Sequence, residues 1–401
     1  MQQSFKNMMH LISQDAKVDS LRNMKPDIIF SDLSVNFLNT LSSVLMKNKM
    51  SKSYPDVATF AFFCRKANVM ANKRKYEDRA IRLGRGVVFH ITPSNVPVNF
   101  AYSLVAGILS GNLNIVRVPF KPFVQIDLIC NAIEQVLSLP EYVSLKNRIF
   151  LVKYDSQSNI TSELSLLCDV RIIWGGDDTI AQIRKSALPA RSFDVTFADR
   201  YSIASINADA LIYEKNIDKL IQNFYNDTYL FDQNACSAPH MVIWTGKLEN
   251  IVKAKDIFWS ALYKILDRYE LSSILPVDKL SELYKHSIIS EGIKRIEPDN
   301  NKLWRVTIEN LTSDIDTHKC AGGYFLEYTA TSLNELGVIV NRKYQTLAYY
   351  GYSLEELNYF INSNRLNGID RVVPFGKTTD FSLTWDGFDL INTLSRECSI
   401  A

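Results

Sequence analysis

At 401 residues the chain has length for two or three domains, and with 47% hydrophobic residues it can bury a sizeable core in each. Its 45 Lys and Arg nearly cancel 43 Asp and Glu, a formal net charge of +2, which offers no footing for nucleic acid or an acidic surface as partner. Six widely spaced cysteines (Cys64, Cys130, Cys168, Cys236, Cys320, Cys398), with no Cys-x-x-Cys pair and no His-Glu-x-x-His, exclude an evident metal site or disulfide framework, so a reducing cytoplasm is expected.

The first fifteen residues, MQQSFKNMMHLISQD, lack a long apolar core or a small-residue cleavage site, and no secretory signal is read there. The first eighty residues read as mainly helical. Within them, residues 55–70 form one amphipathic helix expected to pack on a sheet, and the basic run from Arg65 to Lys75 reads as a solvated helix face. Strand-length apolar runs follow at Val87 to Thr92, Asn114 to Pro119, Ile149 to Tyr154, Val170 to Gly175 and Ser202 to Ile206, separated by stretches of helical period. The stretch from Val96 to Val116 holds too many Asn, Ser and Gly residues to span a bilayer and reads as helix, turn and strand. Such alternation predicts a doubly wound parallel sheet of nucleotide-binding type, which with the N-terminal helical region makes a first domain over residues 1–207. A second α/β domain is expected over residues 208–374, containing a helix NIDKLIQNFYND, a strand HMVIW and a long helix from Ile251 to Tyr269, with a tail over residues 375–401.

Three places carry candidate chemistry. In FDQNACSAPH, Phe231 to His240, Cys236 sits among small and polar residues where a thiolate could be reached, in contrast to a core thiol inside an apolar run. In PSNVP, Asn95 lies at a strand-to-helix turn. There a side-chain amide either caps the helix or donates to an oxyanion at the carboxyl end of a strand. The turn Trp174, Gly175, Gly176, Asp177, Asp178 either caps a helix through Asp177 or lets a cofactor phosphate approach the backbone. No G-x-G-x-x-G follows the first strand.

PSNVP, DQNACSAP and YQTLAYYGYS together resemble the aldehyde dehydrogenase superfamily, whose corresponding patterns are P-W-N-F-P, G-Q-x-C-x-A and a Leu-Ala segment. The stretch GIDRVVPFGKTTDFSLTWDGFDLINTLSR, Gly368 to Arg396, is similar to the closing signature of LuxC-type acyl-CoA and fatty-acid reductases, and the resemblance runs from about Gly84 to Arg396. It implies an α/β, aldehyde-dehydrogenase-like fold, with a cofactor domain, a catalytic domain carrying the cysteine and a small β arm that makes a homo-oligomer. It also implies NADPH as cofactor and a fatty acyl thioester, acyl-CoA or acyl-protein, as substrate, with an acyl-transferring protein as a possible partner. Cys236 would then be the catalytic nucleophile and Asn95, with the Cys236 backbone N–H, the oxyanion donor. Thr92, Pro93, Arg117, Lys121, Gly175 and Gly176 would bind the cofactor, with Arg117 and Lys121 placed for a 2′-phosphate or else engaged in a structural ion pair.

Two departures separate the chain from enzymes that oxidise aldehydes. DVTFADRYSIA stands where the superfamily's general-base glutamate belongs and contains no Glu. A reductase needs no hydrolytic water, so none is required. Lys319 stands nearest the glutamate that usually contacts the nicotinamide ribose; its neighbour His318 reads as a surface residue or a contact to ligand, and His240 as a hydrogen-bonded core residue. Trp385, Asp386 and Gly387 read as a packing or interface feature, or as the cap of an acyl tunnel. Two other readings stay open: a CoA-acylating aldehyde dehydrogenase for short or modified substrates, and a non-catalytic binding subunit.

Overall fold

The computed structural model describes residues 9–12, 23–77, 80–94, 96–155, 157–296 and 300–400. They fall into two units, Met1–Ala198 with Phe381–Ala401, and Asp199–Asp380.

In the first unit the strands run, in chain order, β1 (Met9–Ile12), β2 (Ile81–Gly84), β3 (Val87–Ile91), β4 (Leu113–Arg117), β5 (Ile149–Lys153), β6 (Val170–Trp174) and β7 (Phe193–Phe197). The sheet order is β1-β5-β4-β3-β6-β7, parallel throughout except for the antiparallel edge strand β1. β3 and β6 are buried at every position, the signature of strands covered on both faces. The helix Asn99–Leu109 lies close against this sheet because Gly107 permits it; a Cβ there would stand 1.9 Å from Asn114 Oδ1. Arg171, 1% exposed, crosses to Asp194 with paired contacts of 2.7 and 3.1 Å, so the one buried cation of β6 is matched by a carboxylate on β7.

The chain order β3, β4, β5 moves outward on one side, and β6 then returns to the other side of β3. The carboxyl ends of β3 and β6 therefore flank the switch point of the sheet, the place where open α/β sheets bind ligands.

Residues 55–70 are two helices instead of one, Pro55–Phe63 and Lys66–Lys73. Cys64 ends the first helix with both apolar and basic neighbours competing for sides: it is fully buried while Arg65 and Lys66 are exposed, so a break lets the apolar face and the basic run turn separately.

The second unit carries β8 (Tyr201–Asn207), β9 (Pro239–Thr245), β10 (Lys294–Ile296), β11 (Trp304–Thr307), β12 (Tyr324–Thr329), β13 (Tyr344–Tyr350) and β14 (Arg371–Pro374), in the order β10-β11-β12-β9-β8-β13-β14. Only β10 is antiparallel to its neighbour. The strand expected to close the first domain at Ser202 to Ile206 is β8, which pairs with β9 and β13 and belongs to this second sheet. The reason is connection length: three residues separate β7 from β8, far fewer than the dozen or so a parallel crossover within one sheet needs.

Glu327, fully buried on β12, accepts from Trp244 Nε1 at 3.0 Å, Trp259 Nε1 at 3.2 Å and Arg305 Nε at 2.5 Å, so the core on that side is ordered around one satisfied carboxylate. The closing segment β15 (Thr384–Trp385), β16 (Phe388–Asp389) and β17 (Ser395–Cys398) belongs to the first unit. β17 pairs antiparallel with β2 in a two-stranded ribbon. Asp386 and Gly387 both take positive φ, 48° and 75°, and form the two-residue link of the β15–β16 hairpin. Trp385, 7% exposed, stacks on Phe381 at 5.5 Å and lies in the core of this unit. No helix among the described residues is long and apolar enough to cross a membrane.

Candidate active site

The approach to Cys236 starts at the helix Ile217–Thr228, which Asn216 caps by accepting from Lys219 N. Its last turn is anchored by Asp227, 2% exposed, whose carboxylate accepts from Gly376 N (2.6 Å), Thr378 N (3.0 Å) and Thr378 Oγ1 (2.9 Å). Burial pushes the Asp227 carboxyl up to about 6 in spite of these bonds. Arg371 donates to the carbonyls of Thr378 and Asp380, both at 2.9 Å, and so closes the same loop. Part of the closing signature is thereby explained physically: its Gly376 and Thr378 hold the helix that leads to the cysteine.

Beyond the helix, Asp232 and Gln233 both adopt left-handed backbone, at φ 50° and 62°. Such geometry costs about 1 kcal/mol or more per residue and persists where surroundings dictate it. Here they do. Gln233 is 1% exposed and uses all of its side-chain valences: Nε2 donates to Pro239 O (2.8 Å) and Tyr324 O (3.1 Å), and Oε1 accepts from Gly323 N (2.9 Å) and Tyr324 N (3.2 Å). Gly323, at φ 86°, delivers those N–H groups from a turn where a Cβ would meet Lys302 O at 2.2 Å. Asp232 is held by Gly322 N at its carbonyl and by the Tyr269 hydroxyl at its carboxylate.

The chain then makes a turn, Ala238 N to Ala235 O at 2.9 Å, that presents Cys236 outward. Cys236 is the exposed cysteine of the six, none of which is in a disulfide. Cys64, Cys130 and Cys168 are buried, and burial pushes the latter two up to about 12. Two residues that sequence reasoning did not single out fix Cys236 from the sheet below. Ser202 Oγ donates to the Cys236 carbonyl at 2.7 Å while accepting from Thr346 N at 3.2 Å, and Gln345 Nε2 donates to Cys236 Sγ at 3.3 Å. The strand register slips on both sides of Ser202, between Ser202 and Ile203 against β9 and between Tyr344 and Leu347 against β13. Bulges of this kind turn side chains out of the regular alternation. The signal available in the sequence was a Gln-Thr pair in the otherwise apolar and aromatic run YQTLAYY.

Asn95 lies outside the described residues. The six sequence-derived cofactor candidates lie at the carboxyl ends of β3, β4 and β6, three adjacent strands at the switch point. Thr92 Oγ1 donates to Arg117 O at 2.6 Å and ties the ends of β3 and β4 together, with Pro93 next in the chain. The Arg117 guanidinium lies 4.9 Å over the Tyr154 ring and Lys121 Nζ 5.2 Å over Phe123. Neither forms an ion pair with a described residue, so the structural-pair alternative has no partner there. Gly175 N donates to Phe197 O, and around Gly176 a Cβ would meet nothing within 4 Å, so packing does not dictate glycine there.

The two departures from the aldehyde-oxidising pattern meet. Lys319 Nζ pairs with Asp199 at 3.0 and 3.2 Å and donates to Arg200 O, joining the two segments that the resemblance marked as departures. His318 is not a surface residue: at 4% exposed it stacks on His286 at 4.0 Å and bonds Glu282 through Nδ1 at 3.1 Å. The surface reading failed because His318 follows a polar stretch in sequence, while the helix Leu275–Ile289 covers it with a polar inner face of Lys279, Glu282 and His286. His240 is buried, stacked on Tyr201 at 5.8 Å, and burial lowers it to about 3; its Nδ1 has no hydrogen-bond partner among the described residues.

Among solved structures the fold is similar to 1-pyrroline-5-carboxylate dehydrogenase from Thermus with bound NAD (13% identity, TM-score 0.65, 95% of this chain and 82% of that one). It is similar as well to glyceraldehyde-3-phosphate dehydrogenase from Methanocaldococcus jannaschii complexed with NADP (13%, 0.65, 92% and 89%). At such identities the likeness shows the fold, which is that of aldehyde dehydrogenases. In sequence the chain is 22% identical over 306 residues to a long-chain acyl-protein thioester reductase of Vibrio harveyi and 23% identical over the same length to that of Aliivibrio fischeri. Each match covers 74% of this chain and 60% of the relative, so the chain spans about 60% of the length of these relatives. A family model described as Acyl-CoA reductase (LuxC) matches residues 35–397, and the chain belongs to that family.

Proposed function

We propose that the protein reduces a fatty acyl thioester, acyl-CoA or acyl-protein, to the aldehyde through an acyl-Cys236 intermediate, with NADPH as reductant. The observation that carries this reading is Cys236 itself: the exposed thiol of the chain, presented on a braced turn with an amide N–H on its sulfur, in a chain of the LuxC family. The long-chain acyl donor is taken from what the Vibrio and Aliivibrio relatives are named for.

In the first half-reaction the Cys236 thiolate forms a bond to the acyl carbon and the donor's C–S bond breaks, releasing the donor thiol. Asn95, retained from the sequence as oxyanion donor, and the Cys236 N–H would carry the negative charge on the carbonyl oxygen. The cofactor, when bound, supplies the hydride that turns the acyl carbon into an aldehyde as the Cys236–carbon bond breaks and the thiolate returns. With Lys319 held by Asp199 and no Glu in residues 194–204, these segments offer no glutamate to activate a hydrolytic water, which suits a path whose thioester must survive until it is reduced.

The residues at the switch point fit a phosphorylated dinucleotide. Two cations without carboxylate partners among the described residues, Arg117 at the end of β4 and Lys121 four residues beyond it, lie there, and the open surroundings of Gly176 leave its backbone approachable. Arg117→Ala is expected to reduce the preference for NADPH over NADH by about tenfold with NADH kinetics little changed, the loss of one charge-assisted phosphate contact. Steady-state kinetics with both cofactors checks this, and an unaltered preference would remove Arg117 from the assignment.

The reading as a whole is tested by a single turnover with long-chain acyl-CoA. Covalent acyl label on the Cys236 peptide, discharged on addition of NADPH with release of aldehyde, is expected. No label with acyl-CoA or acyl-protein donors, on protein whose Cys236 still reacts with iodoacetamide, would favour a binding subunit instead.

A further inference from the structure

We propose that Gln345 is a positioning residue for Cys236: its side-chain amide holds the sulfur, as thiolate, in the place from which it attacks and to which it returns. The consequence for turnover rests on the thioester-reductase reading above; the contact itself does not.

Gln345 is the second residue of β13 and is 0% exposed. Burying a primary amide in a strand costs free energy unless both of its ends find partners, and an apolar side chain would fill the same space without that cost. The partners are specific. As the amide is placed, Thr346 Oγ1 donates to Gln345 Oε1 at 3.3 Å and Nε2 donates to Cys236 Sγ at 3.3 Å. An N–H facing sulfur stabilises a thiolate, whereas a carbonyl oxygen in its place would oppose one. The register slip between Tyr344 and Leu347 is what frees Gln345 from the regular alternation of β13, and the same slip brings Thr346 N onto Ser202, which in turn bonds the Cys236 carbonyl. One bulge thus braces the cysteine at its backbone through Ser202 and at its sulfur through Gln345.

The chemistry uses the thiolate twice, as nucleophile when the acyl–Sγ bond forms and as leaving group when that bond breaks. An N–H bond that strengthens with negative charge on sulfur raises the fraction of thiolate available for attack and assists its departure, and it weakens in the neutral thioester between the two steps.

The test compares wild type with Gln345→Met, which keeps length and volume but has no donor, and with Gln345→Ala. Iodoacetamide labelling of Cys236 is followed against pH by peptide mass, with thermal unfolding as a check on folding. In both variants the pH of half-maximal labelling is expected to rise by about 0.5–1 unit. With long-chain acyl-CoA and NADPH, kcat is expected to fall about tenfold with KM little changed. If Gln345→Met labels with the wild-type pH profile while folded normally, the side chain only fills space and the proposal is overturned. A shifted profile in a protein whose wild type accepts no acyl group would support the Gln345 contact and refute the thioester-reductase reading, so the two fail separately.

Discussion

Cys236→Ser is expected to abolish acyl labelling and to lower aldehyde formation by about 10³-fold or more, with the fold unchanged. The substitution replaces one atom at an exposed position, and a serine hydroxyl can still accept from Gln345, so little structural cost follows. The chemical cost is large because an alcohol remains protonated where a thiol readily ionises, and no described histidine is placed on Cys236 to act as its base: His240 is turned into the core against Tyr201, and His318 bonds Glu282. Peptide mass after one turnover decides the matter. Cys64, Cys130 and Cys168 serve as internal controls, since burial holds their thiols far above the range where they would react. Continued acyl labelling of the serine variant, at any of the remaining cysteines, would take the nucleophile's role away from Cys236.

Gln233→Ala is expected to produce the largest loss of stability in the second unit. Removing the side chain leaves the buried N–H groups of Gly323 and Tyr324 and the carbonyls of Pro239 and Tyr324 without the partner that Gln233 supplied. At about 1–3 kcal/mol for a buried group left unsatisfied, and with partial relaxation, a loss on the order of 3–5 kcal/mol follows. For a unit of this size that lowers the thermal midpoint by on the order of 10 °C. The left-handed φ at Gln233 makes alanine no easier to accommodate, since alanine carries the same Cβ. Because Gln233 ties the cysteine turn to the starts of β9 and β12, iodoacetamide labelling of Cys236 is expected to change along with stability. A midpoint within about 2 °C of wild type would show that water replaces the side chain at little cost and that the turn holds by other means.

Where the sequence was informative, the property was local. Continuous apolar runs marked β3, β5 and β6 because a strand covered on both faces must be apolar at successive positions. Asp386-Gly387 suits the two consecutive positive φ values of its hairpin, a local signal that the reading of these residues as a packing or interface feature passed over. Cys236 stood out because small and polar neighbours cannot bury a thiol. Local pattern was also what misplaced β8 and merged the helices Pro55–Phe63 and Lys66–Lys73, because periodicity records which faces are apolar and not which sheet receives them.

By itself, then, the sequence determined the class of the fold and marked Cys236 and the ends of β3, β4 and β6 as candidates, all of them consequences of residue type and short-range spacing. Only the tertiary structure decided what surrounds that cysteine. Gln345 lies 109 positions from Cys236 along the chain, and Asp227 lies 149 from Gly376, so no local pattern could pair them. The same holds for His318, which strand and helix packing buried, and for the register slips that turn Ser202 and Gln345 toward Cys236. Those contacts exist because β8, β9 and β13 are brought side by side, and strand pairing is chosen by the burial of whole faces and not by the residues that end up meeting.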